Sequence, residues 1–211
     1  MKIGIIGATG KAGNFILKEA VSRGHEVTAI VRSATKLVDK TVAVIEKDVF
    51  SLTTGDVQGF DVVVNAFGAP AGEEHLHVEA GRKLIDILHD ASNTKLFVVG
   101  GAGSLFIDPD KTVKVMSTPD FPAIYLPTAE NQGENLEDLK ASSITWTFLS
   151  PSAFFDPEGS RTGEYISGVD HLLVNKKGES YVSYADFAIA LLDELENPKH
   201  VNARFTVASE N

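Results

Sequence analysis

Gly7, Gly10 and Gly13 recur every third residue between an apolar run and a segment of helical period. Side-chain-free positions in that context can bring backbone amides against a phosphate. Three readings compete: a plain tight turn, a nucleoside-triphosphate cradle, and the seat of a dinucleotide's diphosphate. The triphosphate cradle needs a glycine, four residues, then Gly-Lys-Ser/Thr. Gly10-Lys11 would close it, yet Ile5 stands at its first glycine and Ala12 at its magnesium-binding hydroxyl. The dinucleotide reading asks for glycines directly after a strand and at the mouth of a helix, where the chain turns tightly and the helix dipole meets the anion. The run Gly7-Ala8-Thr9-Gly10-Lys11-Ala12-Gly13 meets that context, although its spacing departs from the G-x-G-x-x-G of ordinary dehydrogenases.

The end of the second apolar run bears on which dinucleotide is held. A carboxylate there would take the adenosine ribose hydroxyls of NAD(H). The sequence instead gives Val31-Arg32-Ser33, and Glu26 lies at the opposite end of that run. A guanidinium can fork onto a 2′-phosphate and stack on adenine, with the Ser33 hydroxyl adding a hydrogen bond. The expectation is NADP(H) in preference to NAD(H).

Positioning these groups requires strands and helices in alternation. Apolar runs at 3–6, 27–31, 42–45, 62–65, 96–99 and 146–149 have strand length, and several are continuously apolar, as strands covered on both faces are. Between the first two, Ala12, Phe15, Ile16 and Ala20 form one helical stripe opposite Lys11, Lys18, Glu19 and Arg23, and Gly24 is placed to end the helix. A second stripe runs from Leu76 to Ala91, and further helices are expected at 129–141 and 184–195. The fold class expected is α/β: a doubly wound, mainly parallel sheet of Rossmann type in one domain over 1–211. Residues 105–127, with four prolines, and 151–169 read as irregular loops after strand ends, the side on which open α/β sheets bind ligands.

Composition narrows the partners. The chain has 211 residues, 43% hydrophobic and 23% charged, enough for one good core. With 29 acidic and 19 basic side chains its net charge is −10, a field that repels nucleic acid and anionic membranes. No cysteine is present, which excludes disulfides, thiolate metal sites and a cysteine nucleophile. No apolar run approaches 18 residues, and the N-terminus shows no leader pattern, so a cytoplasmic location is expected, as a monomer or homodimer. His75, His77 and Glu79 lack metal-binding spacing and read as a solvated helix start; no metal is expected.

These residues together resemble the NmrA-like group of atypical short-chain dehydrogenases/reductases, most closely its small members assigned as NADH-flavin reductases, relatives of biliverdin reductase B. The resemblance covers nearly the whole chain, through 7–13, Val31-Arg32, Lys47-Asp48-Val49, Val64 to Gly68, Gly100 to Ser104, Thr145 to Thr147 leading to Pro151, and Tyr184 to Ala188. It implies that Asp48 and Val49 border adenine. It also implies that Asn65, Ala66, Phe67 and Gly68 line the cofactor, and that Ser150-Pro151 flank the nicotinamide.

The departure from the wider superfamily concerns the acceptor. Carbonyl reducers there use Tyr-x-x-x-Lys, the lysine lowering the tyrosine pKa so that it can protonate an alkoxide. Tyr125 is followed at that spacing by Ala129, and Gly100-Gly101 stand where a serine is expected, with Ser104 three residues on. Ser104 and Tyr125 remain the candidate catalytic residues. A flavin-like or quinone-like small molecule, FMN or FAD among them, takes hydride without an obligatory acid and needs chiefly a stacked, positioned ring. Phe154 and Phe155 could supply that platform, as could Phe106 and Phe121. A regulator that binds NADP(H) without turnover is the alternative.

Overall fold

The computed structural model describes residues 1–210. Strands β1 (Lys2–Ile6), β2 (Glu26–Val31), β3 (Ala43–Glu46), β4 (Val62–Asn65), β5 (Lys95–Val99) and β6 (Trp146–Ser150) form the parallel body of an eight-stranded sheet. Its order is β3-β2-β1-β4-β5-β6, then β10 (Ala203–Ser209), and at the edge β8 (Tyr165–Gly168). β10 runs parallel to β6, and β8 antiparallel to β10. This is a doubly wound Rossmann-type α/β fold, with the order reversing between β1 and β4.

The continuous apolar runs are buried on both faces, as their sequence implies. Val62 and Val64 join the core beneath α1 (Lys11–Ser22) and α5 (Tyr184–Glu196), together with Ile3, Ile5, Leu17 and Leu191. Val63 points the other way, into the core beneath α3 (Leu76–His89) and α4 (Leu126–Ala141), with Leu84, Leu88, Leu136 and Trp146. A four-residue helix, α2 (Thr54–Val57), precedes β4 and opens with a capping box between Thr53 and Asp56. Gly24 ends α1 at φ +78° and donates its amide to the Val21 carbonyl at 2.9 Å.

Three expectations need correction. α4 begins at Leu126 instead of 129, because Pro127 falls in its first turn, where the missing N–H has no intrahelical partner to lose. The stretch 151–169 is not wholly irregular. It holds β7 (Phe154–Asp156), which pairs in parallel with β9 (Tyr181–Ser183), and the edge strand β8. β10 lies beyond every strand expected from the apolar runs.

The 105–125 segment has no long element, yet its base is fixed. The Phe106 amide donates to the Asp170 carbonyl at 2.9 Å, and the Phe106 carbonyl accepts from Leu172 at 2.9 Å. From β10, the buried Arg204 guanidinium reaches the Ser104 carbonyl (2.9 Å), the Ser104 hydroxyl (3.0 Å) and Asp170 Oδ1 (2.8 Å). No described helix is long and apolar enough to cross a membrane.

Candidate active site

A cleft of about 620 Å³ runs along the carboxyl ends of β2, β1, β4, β5 and β6. Its floor is the turn between β1 and α1. Gly7 adopts φ +74°, and a Cβ there would lie 2.5 Å from the Ala66 carbonyl oxygen. The Gly10 amide closes the turn on the Gly7 carbonyl at 2.8 Å, and a Cβ on Gly13 would overlap that same carbonyl. The three glycines therefore serve a left-handed turn and a helix packed against it. No side chain caps α1, so its first-turn amides have no intrahelical partner, and the start of the helix at Lys11 and Ala12 lines the cleft with Thr9 and Gly10 of the preceding turn. A glycine cradle with open amides and a positive helix end fits a diphosphate bridge.

One end of the cleft is cationic. Arg32 is exposed at its rim and forms no ion pair among the described residues. Lys47 is engaged by Asp56 at 2.7 Å, which lowers the Asp56 carboxyl to about 2. Glu46, beside Val31 in the sheet, accepts from the Ala34 amide at 3.0 Å and so braces the loop carrying Arg32. Asp48 and Val49 line the same end, and Asp48 also caps the next turn by accepting from the Phe50 amide at 3.0 Å. Ala66, Phe67 and Gly68 wall the middle.

The other end is aromatic and uncharged. Phe121, Tyr125, Phe155 and Tyr184 line it with Pro151 and the glycine run after β5. Phe155 packs on Tyr184 with ring centroids 3.8 Å apart. Tyr125 is 61% exposed at the mouth. Ala129, one turn on, is buried against Gly103, whose added Cβ would come within 2.5 Å of its methyl. No lysine accompanies the phenol there.

Other expected residues lie outside the cleft wall. Ala8 packs in the core beneath α1, and Gly13 meets the turn behind the cradle. Ser33 hydrogen-bonds Thr35 at 2.8 Å, and Asn65 accepts from the Phe67 amide at 3.1 Å, shaping the wall without forming it. Ser104 does not reach the cleft, because its hydroxyl is held by Arg204 in the base of the 105–125 loop. Phe154 points to solvent and leans on Tyr181, so of the expected pair only Phe155 contributes to the platform.

The structure adds residues that sequence reasoning passed over. His77 is not solvated. It lines the cleft, stands edge-on to Phe67 with centroids 5.8 Å apart, and its Nε2 faces the Ala69 amide at 3.4 Å. Burial holds its imidazole below the ordinary histidine value. Its place in the first turn of an amphipathic helix, next to the buried Val78, was the available signal. Thr128 and Gln132, on successive turns of α4 with Tyr125, also face the cleft.

Comparison with known proteins agrees with this geometry. The chain is 68% identical over 211 residues to the uncharacterized protein YwnB of Bacillus subtilis (strain 168), covering all of this chain and 99% of that one. It is 43% identical to a solved structure from Streptococcus pneumoniae TIGR4 described as "a putative NADH-flavin reductase", with a TM-score of 0.93 and full coverage of both chains. At 18% identity it shares the fold of ChuY, an anaerobillin reductase from Escherichia coli O157:H7, with a TM-score of 0.79 over 99% of this chain and 97% of that one. The sequence pattern described as NAD(P)H-binding matches residues 7–198. With the glycine cradle, the open helix end and the sheet order in agreement, the chain belongs to the NAD(P)H-binding family.

Proposed function

We propose that this protein oxidises NADPH and reduces a flavin-like or quinone-like acceptor. The observation that carries the reading is the uncharged aromatic end of the cleft, where Tyr125 has Ala129, packed on Gly103, in place of a cation one turn away. Carbonyl reduction in the wider superfamily relies on that cation to ready the phenol as an acid, whereas a flavin or quinone takes hydride without an obligatory acid. The bound nicotinamide supplies a hydride, two electrons and one proton nucleus, to a ring atom of the acceptor, and water supplies the second proton. The chain's own work is positioning. The amides at the start of α1 hold the diphosphate, Arg32 meets the 2′-phosphate, and Phe155 with Tyr184 offers an aromatic wall for the acceptor ring. Holding two rings together in this way replaces a bimolecular encounter by a near-unimolecular one. The similarity to the Streptococcus pneumoniae protein supports the flavin reading.

NADPH consumption followed by near-ultraviolet absorbance, with FMN, a small quinone and an unconjugated ketone as separate acceptors, tests this. FMN or the quinone is expected to be reduced and the ketone not, and Tyr125→Phe is expected to keep turnover within about threefold. Ketone reduction that collapses in Tyr125→Phe would make the protein a carbonyl reductase. Tight NADPH binding without turnover of any acceptor would favour a regulator.

A further inference from the structure

The aromatic end of the cleft contains an unassigned amide. Glycines at 101 and 103 let α4 close onto the loop after β5, where a Cβ at 103 would press on Ala129, while a Cβ at 100 would overlap the Phe148 ring of β6. A Cβ at 101 would overlap Gln132 Oε1. Gly101 is therefore the position whose missing side chain leaves room for the Gln132 amide. Its sequence neighbour Asn131 ties itself to the Pro127 carbonyl at 2.8 Å, whereas Gln132 makes no side-chain hydrogen bond among the described residues. Half-buried in the cleft wall, it presents a donor and an acceptor with no protein partner. Of the neighbouring polar groups in the wall, Thr128, one turn earlier, is likewise without a side-chain partner among the described residues but is shorter and carries a hydroxyl in place of an amide. Ser152 donates to the Val207 carbonyl at 2.8 Å, and Tyr125 stands out at the mouth.

A half-buried amide that faces an open cleft without a protein partner is free to direct a hydrogen bond at a ligand. Resting on the flavin reading above, we propose that Gln132 is the specificity-determining residue of the acceptor site, donating a hydrogen bond from Nε2 to a carbonyl on the ring of a flavin. An aromatic wall recognises any flat ring through its face. A directed amide distinguishes a ring bearing a carbonyl edge from a bare hydrocarbon, because only the former satisfies the donor.

The test measures binding as well as turnover. FMN is titrated by its own fluorescence against wild type, Gln132→Leu, Gly101→Ala and the double variant, and NADPH by calorimetry against the same four. Gln132→Leu is expected to weaken FMN about fivefold, the worth of one hydrogen bond, and to leave the NADPH Kd within about twofold. Gly101→Ala displaces the amide without altering it, so it is expected to weaken FMN similarly, and the double variant no further than Gln132→Leu alone. Unchanged FMN affinity in Gln132→Leu, no FMN binding to wild type, or an equal loss of NADPH affinity would each overturn the assignment. Should Gln132→Leu fail to fold, Gly101→Ala decides on its own by the same FMN measurement. If FMN binds and weakens as expected but neither it nor the quinone is ever reduced, the reductase reading falls and the role of Gln132 stands. If FMN is reduced with the same KM by wild type and Gln132→Leu, the reverse holds.

Discussion

Arg32 stands just past the carboxyl end of β2, exposed and unpaired among the described residues, while Glu46, on the neighbouring strand, is occupied by the Ala34 amide. A charge-assisted contact with a 2′-phosphate is worth about 1.5–3 kcal/mol. Arg32→Ala should therefore weaken NADPH by roughly 10- to 100-fold and NADH by no more than about threefold by calorimetry. Equal losses would remove the preference for the phosphorylated cofactor. His77 is the residue through which pH should act. Its imidazole is held down by burial, so below 6.5 the unfolded chain takes up a proton before the folded one does. Stability linked to His77 is thus fully present at neutral pH and is lost as pH falls beneath 6.5. Urea unfolding between pH 7 and pH 5 should show wild type losing more stability than His77→Phe; parallel losses would contradict a buried neutral imidazole.

At the scale of elements, legibility in the sequence followed the source of each element's stability. β1, the glycine turn, α1 and its stop at Gly24 are local in origin, and all appear where apolar period and backbone freedom place them. So does β4, whose unbroken valines need cover on both faces. β10 was not legible, because Arg204, Thr206 and Ser209 give it the look of a partly solvated segment although all three are buried. What permits the burial of Arg204 and Ser209 comes from far away in the chain: Asp170 and Ser104 answer Arg204, and Ser209 donates to Asp186 at 2.8 Å. The cleft was legible where backbone makes it, and less so where side chains from distant helices arrive, as with His77 and Gln132. Arg204→Met tests the stitching of β10 to the 105–125 loop. Its side chain is 3% exposed, and removing it strands the Ser104 carbonyl and half of Asp170, leaving Lys111 as the remaining partner of that carboxylate. A loss of about 3 kcal/mol in urea unfolding, with new protease cleavage near 105–116, is expected; wild-type stability would mean that the pair contributes nothing.

Across the whole molecule the same sheet serves two tasks on either side of its reversal point. The β1 to β3 half presents the start of α1 and Arg32 to the cleft, in a protein whose net charge of −10 otherwise repels anions. The β5, β6 and β10 half carries the aromatic wall and the loops braced by Arg204. The order of that second half departs from the order of the chain, since β8 is translated ahead of β10 yet has β10 as its sheet neighbour. A ribosome-bound chain can thus complete the β1 to β3 half while β8, with unsatisfied edge amides, and the Ser104 carbonyl still wait for residues 203–209 to emerge. Nascent chains halted in that interval would offer a sticky border to holdase chaperones or to one another, which makes the late-arriving strand the step at which quality control has most to inspect.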